Sequence, residues 1–240
     1  MNRVIIKEQE KEDFRRREAF KTLRANIQFS GDNIKTVAVT STLPGEGKST
    51  TSLALARSFA EAGKFTVLVD CDIRRSMMMD KFEIQDKVQG LSEYLCGIAD
   101  YQQIIMKTNQ PSFYTIFTGR HVPNPSELLS GERFTQLLKK LREDFEVVIL
   151  DTPPVSSVID GAIVASRCDG AVLVVASEQV SRRMVQRVKA QLAKSGVHIL
   201  GVALNRVNTK KDSYYYYKYG YDKYGDYSEP YLSEQGSGEE

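Results

Sequence analysis

The sequence predicts an α/β fold in which a mainly parallel sheet carries helices on both faces, preceded by an N-terminal amphipathic helix and followed by a tail of different composition. Three observations carry this. Short, near-continuous apolar or β-branched runs recur at 36–41, 65–70, 114–119, 145–151, 170–177 and 197–207. Helix-forming stretches separate most of them, and strands buried on both faces are expected to lack polar alternation. From Asn208 onward both patterns stop, and the chain becomes Tyr, Gly, Ser, Lys and acid.

Taken in order, residues 12–29 place Phe14, Ala19, Phe20, Leu23, Ile27 and Phe29 at mostly helical spacing among charges, which predicts the amphipathic helix. TVAVTS at 36–41 is the first strand. A turn containing Gly45 and Gly47 follows, and then the helical stretch KSTTSLALARSFAEAG, ended by Gly63. FTVLVD, YTIFTG, FEVVILD, GAVLVVAS and VHILGVALNRV supply five further strands, with helices expected at 131–143, 158–167 and 181–194. This organisation divides the chain into a lead-in at 1–34, a folded domain at 35–207 and a tail at 208–240.

A length of 240 residues with 41 % hydrophobic content suits one domain with appendages. The formal charge of +2 conceals a gradient: the tail carries four Lys against seven acids, net −3, which leaves +5 for the rest. Neither part is basic enough to imply nucleic acid as a partner. Cys71, Cys96 and Cys168 fit no metal-binding spacing and read as reduced thiols. No run approaches the roughly 20 apolar residues of a membrane span, and the N-terminus lacks the apolar core of a signal peptide. A cytoplasmic protein is expected, with any membrane attachment made through a partner. Met77, Met78 and Met79 read as packing residues, and His121 and His198 as isolated.

Nine of the twelve tyrosines lie near the C-terminus: Tyr214, Tyr215, Tyr216, Tyr217, Tyr219, Tyr221, Tyr224, Tyr227 and Tyr231. Leu232 is the only sizeable aliphatic residue among them, so the segment lacks the apolar area to offset its ordering entropy. It is expected to be disordered, with accessible phenols.

The chemistry concentrates at strand ends, where ligands bind in such folds. Thr42-Leu43-Pro44-Gly45-Glu46-Gly47-Lys48-Ser49-Thr50 has Gly-Lys-Ser in the register of a Walker A loop, with Thr42 in place of the usual first Gly. Gly45 and Gly47 let backbone N–H groups turn toward phosphate oxygens, and the helix starting near Lys48 adds its positive end. Lys48 is expected to reach the β- and γ-phosphates and Ser49 to ligate Mg²⁺. Asp70 and Asp72 end the second strand, and Asp151 ends FEVVILD. Three such acids can hold Mg²⁺ and its waters and leave one carboxylate to accept a proton. A strand-end Asp often only caps the next helix, which suits one of them better than three beside a phosphate loop.

PGEGKST at 44–50, VLVDCDIR at 67–74 and VVILDTPP at 147–154 resemble the Walker A, A′ and B motifs of bacterial tyrosine kinases of capsular and exopolysaccharide export. The tyrosine-rich tail is that family's other hallmark. The resemblance implies that Pro44, Gly45, Glu46, Gly47, Lys48, Ser49 and Thr50 bind Mg-ATP, and that Asp70, Asp72 and Asp151 serve metal and catalysis together with Lys48. Asp70 is the leading candidate for the base that deprotonates tyrosine, with Asp72 as competitor. Asn205-Arg206 resembles the superfamily's adenine-contacting position. Glu18, Lys21 and Arg24 resemble an ExxRxxR oligomerisation motif with Lys for its first Arg, a substitution that loses the bidentate fork. The resemblance further implies autophosphorylation of the tail between subunits of a ring, a transmembrane activator of the polysaccharide co-polymerase type at the inner face of the membrane, a cognate phosphatase and other protein substrates.

A MinD/ParA-like ATPase switch shares the expected fold and acidic motifs. It carries a signature Lys where this chain has Leu43, and it gives the tyrosine tail no role. Stacking of Tyr and Lys on single-stranded RNA is opposed by the tail's net negative charge.

Overall fold

A computed structural model of the chain describes residues 3–7, 14–31, 33–84 and 88–207. Met1–Asn205 form one compact unit, and Arg206–Glu240 fall in a second. Of the second unit only Arg206 and Val207 are described, so the nine tail tyrosines lie outside the described residues.

The predicted runs become six strands: β2 (Thr36–Ser41), β3 (Thr66–Asp70), β6 (Phe113–Ile116), β7 (Val147–Asp151), β8 (Gly170–Ala176) and β9 (Ile199–Asn205). Three short strands that the sequence did not announce, β1 (Arg3–Ile6), β4 (Phe82–Glu83) and β5 (Met106–Thr108), extend one edge. The sheet order is β4-β1-β5-β6-β3-β7-β2-β8-β9. Among the described residues only the β1/β4 and β5/β6 pairs are antiparallel. β6 stops at Ile116, short of the expected 119, because the carbonyls of Phe117 and Thr118 accept the N–H groups of Leu91 and Ser92 at 2.8 Å. Those two residues open the short helix α3 (Leu91–Leu95).

The helices form where the spacing placed them. α1 (Phe14–Phe29) packs Ile27, and partly Phe20 and Leu23, against α2 (Lys48–Glu61) and the sheet, whereas Phe14 and Phe29 stay exposed. α6 (Glu132–Asp144), α7 (Asp160–Ala165) and α8 (Arg182–Lys194) match the expected positions. α4 (Tyr101–Ile104) and α5 (Pro125–Ser130) are one-turn connectors. Alternate residues of each central strand enter opposite cores: Val67, Val69, Val148 and Leu150 pack with Phe134, Leu137 and Leu141 of α6, while Leu68 and Ile149 pack with Leu53 and Phe59 of α2. Burial on both faces is why these strands read as unbroken apolar runs. Among the described residues no helix is long and apolar enough to cross a membrane.

The amino end of the sheet is fastened by one carboxylate. Asp169 Oδ2 accepts the N–H groups of Lys35 and Thr36 at 3.0 and 2.8 Å, and Oδ1 pairs with Arg142 at 2.7 Å. Burial opposes the charge of Asp169, but Arg142 and the Thr36 and Lys35 donors outweigh it and hold the carboxyl below its ordinary value. A depressed folded pKa gives stability that is present above the ordinary carboxylate range and is lost as pH falls through the folded value. Asp169→Ala is therefore expected to cost about 2 kcal/mol at pH 7, because it orphans two backbone donors and removes the ion-pair partner of Arg142. Urea denaturation at pH 7 and pH 3 checks this: the penalty must shrink at the lower pH, and an unchanged penalty would contradict the assignment.

Candidate active site

Three turns meet at the carboxyl end of the sheet. β7 lies between β2 and β3 and runs parallel to both, so the segments leaving these strands are neighbours. The register sets Asp151 beside Asp70 on one side and Val39 on the other. Motifs far apart in sequence are thereby assembled by strand pairing alone.

The turn after β2 has the conformation its glycines allow. Gly45 and Gly47 lie at φ 82° and 93°, in the left-handed region open to residues without Cβ. At Gly47 space is also limiting, since a Cβ would come within 2.2 Å of Asn205 Nδ2. Thr42 is fully buried and is not among the residues with positive φ, so the usual first glycine is dispensable here. Pro44 is exposed at the crest of the turn. Glu46 faces inward: its buried carboxylate accepts from Leu43 N at 2.6 Å and Ala176 N at 3.0 Å, tying the turn to itself and to the end of β8. Gly47 precedes α2 without a side-chain cap, which leaves the helix start suited to an anion.

Lys48 is the electrostatic centre. Its Nζ lies 2.9 Å from Asp72 Oδ2 and 3.6 Å from Asp151 Oδ2, and 3.2 Å from Ser49 Oγ. Burial works against its charge, but Asp151, Asp72 and Asp70 together outweigh burial and raise its pKa. Asp151 also accepts from Ser52 Oγ at 3.0 Å; burial raises its pKa against the opposing pull of Lys48, Ser49 and Ser52. Asp70 is fully buried and accepts a short hydrogen bond from Ser76 Oγ and one from Asp72 N at 3.2 Å. Burial, followed by the charge of Asp151, pushes it up to about 8.

Lys48, Ser49, Asp70, Asp72 and Asp151 are thus brought together. Ser52 and Ser76 are additions. Ser52 sits one helical turn after Lys48 and was findable on that ground; no spacing announces Ser76. Arg74, inside the A′ motif, pairs with Asp160 at 2.6 Å and donates to Ser126 at 3.0 Å, joining the segment after β3 to α5 and α7. Asn205 Nδ2 donates to Glu46 O at 2.8 Å, which gives Asn205 a place in the loop's support besides any contact to adenine. Arg206 has a positive φ of 57°. Of the three methionines, Met78 is fully buried while Met77 and Met79 are exposed.

Glu18, Lys21 and Arg24 do not share one outward face. Glu18 and Lys21 pair at 2.6 Å, whereas Arg24 turns onto α2, with Nη1 donating to Ser58 O and, at 3.2 Å, to Ser58 Oγ. Steps of three residues each fall about 60° short of a turn, so Glu18 and Arg24 are roughly 120° apart around α1.

The residues fit a magnesium nucleotide. The left-handed turn, the uncapped helix start, Lys48 and Ser49 suit phosphates. Among the described residues no group of three or more His, Cys, Asp or Glu forms a ready metal cage, and Lys48 bridges Asp72 and Asp151. Incomplete protein ligation is characteristic of Mg²⁺ sites finished by phosphate oxygens and water.

Fold and site together define a nucleoside-triphosphate-binding α/β enzyme with a Walker-type loop. A family model described as an AAA domain matches residues 34–205. Tyrosine-protein kinase CpsD of Streptococcus pneumoniae is 42% identical over 208 residues, which cover 87% of this chain and 91% of that protein. The crystal structure of the chimerical protein CapA2B2 superposes with a TM-score of 0.78 at 33% identity, covering 85% of this chain and 92% of the other. The kinase domain of Escherichia coli tyrosine kinase ETK gives 0.75 at 30% identity, with coverages of 80% and 78%. The septum site-determining protein MinD complexed with Mg-ADP, from Pyrococcus horikoshii, shares the fold at a TM-score of 0.61 and 21% identity, covering 72% of this chain and 71% of the other. The chain belongs to the bacterial tyrosine-protein kinase family.

The pKa of Asp70 has a measurable consequence in metal-free protein. A folded pKa raised to about 8 contributes stability that is complete below the ordinary carboxylate value and is lost as pH rises through 8. With chelator present, Asp70→Asn is expected to gain melting temperature over the native chain progressively from about pH 4 to pH 8, by several degrees at the upper end. A difference that stays flat with pH would show that Asp70 is ionised throughout.

Proposed function

We propose that the chain transfers the γ-phosphoryl group of ATP to tyrosine hydroxyls, chiefly those at 214–231 in the tail of a neighbouring subunit. The observation that carries this reading is the pairing of a phosphate-loop lysine with Asp72 and Asp151 beside a fully buried Asp70 at one strand end. Lys48 neutralises the transferring phosphoryl oxygens, and the Gly45–Gly47 turn orients the phosphate chain. Ser49 with Asp151, and with Asp70 or Asp72, would hold Mg²⁺, which supplies Lewis-acid stabilisation of the phosphate charge. The tyrosine oxygen forms a bond to the γ-phosphorus as the bond to the departing ADP oxygen breaks, and the phenolic proton passes to a carboxylate. A phenol of pKa about 10 is ionised only to roughly a thousandth at pH 7, so a base is needed. Asp70, whose burial beside Asp151 raises its affinity for a proton once it is ionised, is the better candidate, with Asp72 the alternative.

Transfer between subunits of a ring is supported by reach. A segment as long as 208–240, if extended at about 3.3 Å per residue, spans on the order of 100 Å. Each phosphate adds about −1.5 to −2 charges to a tail already at net −3, so phosphorylated neighbours repel. In this reading Asn205 faces the adenine side, and Glu18 and Lys21 on α1 contribute to subunit contact with Arg24 as its internal anchor. A transmembrane co-polymerase-type activator recruits the cytoplasmic chain to the inner face of the membrane, and a cognate phosphatase resets it. Together they regulate capsular or exopolysaccharide synthesis and export, and other proteins are further substrates. A MinD-type switch would share the fold, but Leu43 places no cation at the loop and the tyrosines would have no role.

Incubation with Mg-ATP labelled at the γ-phosphate is expected to put label on tyrosine, mainly after Asn208, and Lys48→Met is expected to lose at least 99 % of it, about 3 kcal/mol of transition-state stabilisation. Hydrolysis without protein-bound label would favour the switch. In a mixture of Lys48→Met chains with active, tail-deleted chains, the Lys48→Met tail is expected to become labelled; an unlabelled tail would exclude transfer between subunits. Light scattering before and after ATP treatment is expected to report a fall in mass.

A further inference from the structure

A second lysine stands at the phosphate loop. Lys81 Nζ donates to Thr50 Oγ1 at 3.0 Å, and Thr50 follows Ser49 in the first turn of α2. Lys81 closes a 3₁₀ turn, Met79–Lys81, whose flanks are sunk into the core: Met78 is fully buried, and Phe82 packs edge-on against Phe117 with ring centroids 5.1 Å apart. The N-terminal strand braces the same turn. β1 pairs with β4 through Ile5↔Glu83 and Ile6↔Phe82, Lys7 N donates to Lys81 O at 3.0 Å, and Lys7 Nζ donates to Asp80 O at 2.8 Å. The lysine backbone is therefore fixed from both sides, and its side chain is held over the loop.

The charge surroundings distinguish Lys81 from Lys48. Lys48 has two carboxylates within 3.6 Å. Among the described residues Lys81 has no carboxylate within salt-bridge distance, although its side chain is half-buried. Burial is the largest influence on it and works against the charge; Arg16 adds to that, and the pull of Asp151 and Asp80 does not compensate, so its pKa falls below 10.5. A half-buried ammonium in this position is stabilised by an anion facing it. The backbone of a Walker A loop cradles the α- and β-phosphates, and Thr50 lies on the helix side of that loop.

We infer that Lys81 is a second phosphate-binding cation of the nucleotide site, contacting the α- or β-phosphate beside Thr50, while Lys48 serves the β- and γ-phosphates. The inference rests on the nucleotide reading above. It gives β1 and the turn at 79–81 a role in nucleotide affinity, although both lie outside the three motifs.

Calorimetric titration of the full chain with Mg-ADP and with Mg-ATP tests it. Lys81→Met is expected to raise Kd for both nucleotides by a similar factor, about tenfold or more, as for loss of one charge-assisted hydrogen bond. Lys81→Arg is expected to retain most of the affinity. Lys81→Gln keeps a donor for Thr50 without the charge; it is expected to show the same loss as Lys81→Met and a weaker dependence of Kd on salt than the native chain. It carries the test if Lys81→Met does not fold. Native-like Kd in the Gln variant would overturn the inference, as would a loss confined to ATP, which would put the contact on the γ-phosphate. If the native chain binds neither nucleotide, the nucleotide reading itself fails and the assignment of Lys81 falls with it.

Discussion

The arrangement at the strand ends depends on one interaction, the ammonium of Lys48 held between Asp72 and Asp151. Three carboxylates converge there with little exposure, Asp70 and Asp151 almost none. Such a cluster is tolerable only if a cation or a proton offsets its charge. Lys48 supplies the cation, and burial beside Asp151, which pushes the Asp70 carboxyl up to about 8, favours a proton as part of the remainder. Lys48 thus has a structural role, organising the acids, that its proposed catalytic role does not reveal.

That interaction in turn needs a rigid surround, which the sheet provides. Because β7 separates β2 from β3, the phosphate loop and the A′ acids approach Asp151 from opposite sides, and neither could do so if the strands followed sequence order. Glu46 locks the loop to the end of β8, Asn205 holds it from β9, and the Arg74–Asp160 pair fastens the segment carrying Asp72 to α7. Each is a polar group, largely buried on at least one side, whose loss would leave a partner unsatisfied. Such contacts cost more when broken than their net contribution to folding suggests.

The central architecture was legible because its cause is strong: strands buried on both faces are written as apolar runs, and the acids and glycines at their ends have few structural alternatives. The edge was not legible for the opposite reason. β1, β4 and β5 have four, two and three residues, too few to establish a period, and their pairing is decided by tertiary contact. Arg24 illustrates a different limit. Residues three apart are neighbours on a helix, yet rotation over two such steps carries the guanidinium onto Ser58, and which face meets α2 depends on a helix packing absent from local sequence. Ser76 and the Asp160–Ser126 pair were hidden because hydroxyls and single acids occur everywhere, and only their proximity to Asp70 and Arg74 gives them meaning.

In the proposed reading, the charge balance couples the steps of binding. Lys48 can engage phosphate oxygens only by loosening its hold on Asp72 and Asp151, whose charges then lack their cation in a nearly dry site. They require another cation when the nucleotide arrives, and the phosphates requiring Lys48 are the groups that can complete a magnesium shell. Nucleotide without metal would leave acids and phosphates facing each other, whereas metal without nucleotide would find Lys48 between two of its ligands. Each alone meets a repulsive partner, so the site favours the two together. In the proposed reading, selectivity for the magnesium complex would arise from the same lysine–carboxylate contacts that stabilise the site.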